Sequence, residues 1–154
     1  MSGQRKPTVS RWRHVVARSS LLIALAACGG CGGDGSPARY PVEGQVLVGS
    51  KPVAEATVIF HPLQGAPAEL PKPIGTTDAE GRFRLTTLTP SDGAAPGEYA
   101  VTVELRALKA VGEEEVREGK HLLPARYARS ETSGLTQQVS AGPNRLAPIV
   151  LKAR

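Results

Sequence analysis

The sequence is short of the residues that most ligand-binding and catalytic sites are built from. Trp12 is its only tryptophan, and two Phe and three Tyr complete the aromatic set. Sugar-binding sandwiches stack a ring on exposed tryptophan or tyrosine. With these few aromatics claimed by a core, little is left for carbohydrate. There are two cysteines, Cys28 and Cys31, and three histidines, His14, His61 and His121, in unrelated contexts. A zinc site needs a second ligand pair, and haem attachment needs a histidine directly after Cys31, where Gly32 stands. Redox use of a C-x-x-C pair wants a helix start beside a βαβ pattern, which is missing. A G-x-S-x-G nucleophile elbow is also missing. No enzyme class is indicated and no cofactor is expected.

Long apolar runs are missing too. The run at 21–27 has seven residues; as a helix it covers about 10 Å at 1.5 Å per residue, against a hydrocarbon core of about 30 Å. Acids are missing from the first 27 residues, which carry Arg5, Lys6, Arg11, Arg13 and Arg18. Those five account for the whole net charge of +5, because the remaining 14 Lys and Arg balance 14 Asp and Glu. The footprint of a nucleic-acid binder is therefore lost once the leader is set aside, and no nucleic-acid partner is expected.

The leader itself is well formed: a basic segment, an apolar segment, then small residues. Its end, Leu25-Ala26-Ala27-Cys28, resembles the lipobox of bacterial lipoproteins. The resemblance implies cleavage before Cys28 and attachment of diacylglycerol to its thiol. Residues 1–27 are then a signal peptide, and the partner is a membrane reached through lipid. Cys31 has no aliphatic residue three places before it and reads as spacer. Residues 28–39, with five glycines between 29 and 35, read as a tether. A flexible coil of about eleven residues reaches roughly 17–20 Å. Gly29 is not an aspartate-type retention signal, which favours the outer membrane, facing the periplasm or the surface.

From residue 40 the apolar period is two. Val42, Gly44, Val46 and Val48 share one face of a first strand, and Gly49-Ser50-Lys51-Pro52 turns the chain. Ala56, Val58 and Phe60 face inward in a second strand ended by Pro62. A loop over 64–73 and a brief strand at 74–77 lead to the turn Asp78-Ala79-Glu80-Gly81, after which Phe83 and Leu85 point inward. The cleanest alternation is at 98–105, with Tyr99, Val101, Val103 and Leu105 on one face, Glu98, Ala100, Thr102 and Glu104 on the other, and one face core. Strands at 135–140 and 147–152 follow, the latter demoted by Pro148 to an edge or a late start. The acid-rich stretch 109–121 reads as a solvated loop or one frayed helical turn. The expected fold is all-β: a seven-stranded antiparallel Greek-key sandwich over 40–154.

The order of motifs "PVEGQVLVGSKPVAEATVIFHP", "GTTDAEGRFRL" and "DGAAPGEYAVTV" resembles the carboxypeptidase regulatory-like, transthyretin-like (prealbumin-like) domains of small bacterial lipoproteins. That likeness implies a sandwich with no catalytic residues of its own. "DGAAPGEY" also resembles the approach to a tyrosine corner, which would give Tyr99 a structural role. Two enzymes on related sandwiches are disfavoured. The C-terminal Tyr-Arg-Gly-Ser of hydroxyisourate hydrolases is replaced by Leu-Lys-Ala-Arg, and the paired histidines of an iron dioxygenase are missing, although Tyr40, Tyr99, Tyr127, His61 and His121 supply the residue types. The expectation is a membrane-anchored, non-catalytic envelope lipoprotein with a protein partner. The alternative is a module binding carbohydrate, or calcium through Asp78, Glu80 and Asp92, whose carboxylates otherwise serve their own turns.

Overall fold

A computed structural model describes residues 36–112 and 114–153, which form short β-strands, one short helix and one 3-10 turn. The segment expected to be a leader, with the expected lipid-attachment residue Cys28 and the expected lipobox residues Leu25, Ala26 and Ala27, lies outside the described residues.

Strand β1 (Val42–Val48) is the axis of the first sheet. Along one edge it pairs antiparallel with β2 (Lys51–Pro52) and β5 (Arg82–Arg84), using the carbonyls of Val42 and Val46 toward Leu85 and Val53. Along the other edge it pairs with β10 (Asn144–Arg145) and β11 (Ile149–Leu151), where the Pro41 and Glu43 carbonyls accept the Asn144 and Leu146 amides. The second sheet runs β4 (Ile74–Thr76), β3 (Thr57–Pro62), β6 (Gly97–Glu104), β9 (Thr136–Val139), antiparallel throughout. A separate hairpin, β7 (Lys109–Val111) with β8 (Glu114–Val116), follows β6.

The inward residues of both sheets meet in one core. Val46, Val58, Phe60, Leu85, Val101, Val103, Val139 and Leu151 are fully buried. The Phe60 ring lies 5.6 Å from Tyr99 and 6.4 Å from Phe83, tilted against both, as aromatic quadrupoles prefer. Gly44 stands directly across from Phe83, and a Cβ there would come within 2.5 Å of the ring. The aromatic covers the glycine, which explains a gap in the apolar face of an otherwise Val-rich strand.

The all-β expectation holds, and four details change. Among the described residues there are eleven short strands rather than seven, because turns and bulges cut the longer apolar segments. The strand pairing is not wholly antiparallel: β10 and β11 run parallel to β1. A period of two fixes which side chains share a face and carries no information about strand direction. Within this edge the register shifts by one residue between Val42↔Asn144 and Val46↔Ile149, and Pro148 falls in the break, immediately before β11 starts. Within the stretch 109–121, β7 and β8 form a hairpin rather than a loop or helical turn, and 117–120 are irregular. Gly112, at φ +67°, supplies the left-handed turn, Arg117 donates to the Arg106 carbonyl at 2.9 Å, and Arg117 also pairs with Glu55.

The fourth detail concerns β6, which is covered on both faces. Ala100 and Thr102, on the face opposite the expected core face, are buried as well. They share their face with Ile59 and His61 of β3, and the connection formed by the 3-10 turn (Ala125–Ala128) and α1 (Ser130–Ser133) packs against the strand. Small and hydroxyl side chains at these positions allow that close approach.

Candidate functional site

Tyr99 begins the buried part of β6, and its hydroxyl donates to the Ala95 carbonyl four residues upstream at 2.8 Å. Burial pushes its phenol above the ordinary value. A buried, hydrogen-bonded phenol tying a strand start to the preceding loop is a structural post, and it is spent there.

Asp92 closes the preceding loop. Its Oδ1 accepts the Thr87 amide at 2.7 Å, and its Oδ2 accepts the Leu88 and Thr89 amides at 3.1 and 3.2 Å. Oδ2 also accepts from Arg39 Nε at 2.8 Å, in an ion pair whose side chains are only 17% and 13% exposed. Burial alone would raise this carboxyl, but the three amides and the guanidinium outweigh it and hold Asp92 below its ordinary value. The carboxylate that would have to ligate calcium is thus committed to its own turn and to Arg39. Arg39 further donates to the Pro37 carbonyl at 3.0 Å, so polar contacts of the β unit reach back to residue 37.

Asp78 serves its own turn in the same way. Its Oδ1 accepts the Glu80 and Arg82 amides at 3.0 and 2.7 Å, and Arg82 bridges Asp78 and Glu80 at 3.3 and 3.1 Å. The Arg82 amide is the main reason the Asp78 carboxyl sits below its ordinary value. Asp78 and Glu80 occupy one turn and Asp92 another. Among the described residues no three His, Cys, Asp or Glu side chains converge as a metal site would require.

His61, at the end of β3, places Nε2 3.0 Å from the Thr102 hydroxyl. Partial burial lowers its pKa first, the Lys72 charge lowers it further, and Glu131 opposes both. Glu131 is itself bonded by the Ser130 hydroxyl at 2.8 Å. His121 accepts the Leu123 amide on Nδ1 at 3.2 Å, while its Nε2 is buried with no partner among the described residues. The two histidines are on separate elements, His61 against the buried Thr102 hydroxyl and His121 against the backbone of Leu123.

Tyr127 is similarly occupied. Tyr127 is buried, its ring lies under Arg126 at 4.7 Å, and its hydroxyl accepts the Lys152 amide at 2.9 Å across 25 residues. This bond and the Arg39–Asp92 pair have no signal in the sequence, because both join residues far apart whose local patterns are ordinary.

Several open clefts remain among the described residues, two of them similar in volume. One, of about 540 Å³, is lined by Glu43, Gly44, Asp78, Arg82, Phe83 and Arg84. Its charges are mutually satisfied, since Arg84 pairs with Glu43 at 2.9 Å and Arg82 with Asp78 and Glu80. The other, of about 530 Å³, is lined by Pro37, Ala38, Tyr40, Ala66, Pro67, Pro96 and two neighbours, and no charged side chain faces it.

Comparison with known proteins adds little. No family model matches the chain, and no curated protein matches it. A solved structure, a 9R-lipoxygenase from Cyanothece, aligns with 74% of this chain and 16% of its own, at 14% identity and a TM-score of 0.40. The chain therefore spans about a sixth of that protein's length. A likeness this weak says nothing about the activity of either.

Proposed function

We propose that the chain is an exported bacterial lipoprotein. In this reading it is cut before Cys28, carries lipid on the Cys28 thiol, and presents a non-catalytic β domain to a protein partner in the envelope. The observation that carries the proposal is the order of the leader: a basic segment, seven apolar residues, and then Leu25-Ala26-Ala27-Cys28. One acyl chain binds a bilayer only marginally. Two or three anchor stably, at about 0.8 kcal/mol per buried methylene.

We assign the domain to the Greek-key, transthyretin-like sandwiches. Two layers of strands sharing one core, and a tyrosine closing the loop before its strand, support the assignment. A non-catalytic role is supported by the ordinary structural employment of Tyr99, Tyr127, Asp78 and Asp92 described above.

Mass spectrometry of the native N-terminal peptide tests the anchor. The expected species begins at Cys28 with diacylglycerol on sulfur, and Cys28→Ser accumulates as the uncut chain. An unmodified Cys28, or a peptide still carrying Leu25, refutes the proposal. Crosslinking in intact envelopes tests the partner. One defined protein should be recovered, and binding to a glycan array in its place would reject the role.

A further inference from the structure

The uncharged cleft beside Pro37 lies where the tether joins the β unit, and the geometry points to it as the surface that seats against the lipid bilayer. The inference rests on the lipoprotein reading and goes beyond it, because a lipid anchor by itself leaves every face of the domain free to point toward the membrane.

Three observations single out this face. Its lining of Pro37, Ala38, Tyr40, Ala66, Pro67 and Pro96 is apolar apart from one phenol, whereas the cleft of similar size on β1 and β5 is rimmed by arginines and acids. Leu63, two residues before the lining residue Gly65 in sequence, is 49% exposed. Backbone bonds join this loop to the start of β6, Leu63 to the Glu98 carbonyl at 2.8 Å and Glu98 to the Gln64 carbonyl at 2.9 Å, so the cleft wall is held in place.

The reach of the chain supplies the second half. Eight residues, five of them glycine, separate Cys28 from Pro37. Whatever their conformation, eight residues span at most roughly 26–29 Å. The cleft is thereby held within a short distance of the headgroups at high effective concentration. A weak apolar contact that would be lost in free solution is populated under these conditions. A tyrosine among prolines and alanines suits the interfacial layer, where a ring with one polar end is favoured. The nearby Arg39 and Asp92 neutralise each other and add no net repulsion or attraction.

The test exploits the missing tryptophan. In the proposed mature chain Trp12 is gone, so the wild type on vesicles should be dark to selective tryptophan excitation. Pro67→Trp places a single reporter in the cleft. Ser50→Trp places one in the exposed β1–β2 turn at the far end of the strand. Each chain, purified as the bacterial membrane fraction yields it, is reconstituted in phosphatidylethanolamine and phosphatidylglycerol vesicles containing a brominated lipid quencher.

The expected result is a blue shift and severalfold stronger quenching for Pro67→Trp than for Ser50→Trp. Leu63→Trp, at an exposed position, should behave like Pro67→Trp and serves if the proline change disturbs the loop. Equal quenching at the two ends, with the chain still on the vesicles, overturns the membrane-facing assignment alone. Concentration-dependent shielding of the cleft reporter in detergent without vesicles assigns the face to a second copy and also overturns it. Tryptophan emission from the wild type, or its loss from the vesicles, overturns the lipoprotein reading and this inference together.

Discussion

Asp92→Asn is the most informative single change, because it keeps shape and removes charge at a carboxylate with four donors. Asparagine retains one acceptor, which can stay on the Thr87 amide. Its NH2 then faces the Leu88 and Thr89 amides and the Arg39 guanidinium, three donors with no acceptor. Hydrogen bonds to charged groups contribute about 1.5–3 kcal/mol each in favourable cases. The site retains some exposure and can admit water, so a loss of about 2–4 kcal/mol is expected rather than the full sum. Urea unfolding of a chain beginning at Asp34, followed by circular dichroism, measures it. The pH dependence has a definite sign. Asp92 is held below its ordinary value of 3.8 in the folded state, so its contribution is complete above that value and is lost as pH falls through the lower folded one. The gap between wild type and variant should therefore narrow in acid. A loss at neutral pH within the roughly 0.5 kcal/mol of ordinary surface changes, or a gap that widens in acid, would refute the reasoning.

Other consequences can be checked in the same way. Tyr99→Phe removes the donor to the Ala95 carbonyl and should cost about 1–2 kcal/mol in the same unfolding experiment. Gly93→Ala should cost more than about 3 kcal/mol or prevent folding, because φ is +83° and the new Cβ would overlap the Tyr40 carbonyl; a folded protein of wild-type stability would show that the loop is placed otherwise. By NMR titration the His61 imidazole should ionise below 6.5, and Lys72→Ala should move it upward. Stability linked to His61 is present above 6.5 and falls as pH drops through the lowered folded value, so failure of Lys72→Ala to shift the titration would exclude that charge as a cause.

Much of the β unit was legible because alternation is a local property. Val42, Val46, Val58, Phe60, Tyr99, Val101 and Val103 declare their face within their own strands, and Gly49-Ser50 and Asp78-Ala79-Glu80-Gly81 declare their turns. What was not legible is relational. Thr102 looks solvent-facing until His61 and the 125–133 connection are laid against β6. The 109–121 stretch carries acids whose charge suggests a loop, yet two three-residue strands around Gly112 need no apolar face of their own to pair. The direction of β10 and β11 depends on how the chain crosses between sheets. The side chain of Asn144 holds that crossing through the Ser140 amide and carbonyl at 2.9 and 3.0 Å. The turn carboxylates fell in between: Asp78 and Asp92 could be assigned to their own loops from sequence, but the Arg39 partner, 53 residues away, could not.

The position of β1 also has a mechanical meaning. Tension arriving from residues ahead of Pro37 first meets the Arg39–Asp92 pair and the Tyr40–Ala94 bridge, and then a strand bonded along both edges. A pull along β1 loads those bonds in shear, so they resist together instead of opening one after another like a zip. The segment nearest the proposed anchor is consequently among the hardest parts of the domain to pull out, and forced unfolding from this end should begin elsewhere in the fold.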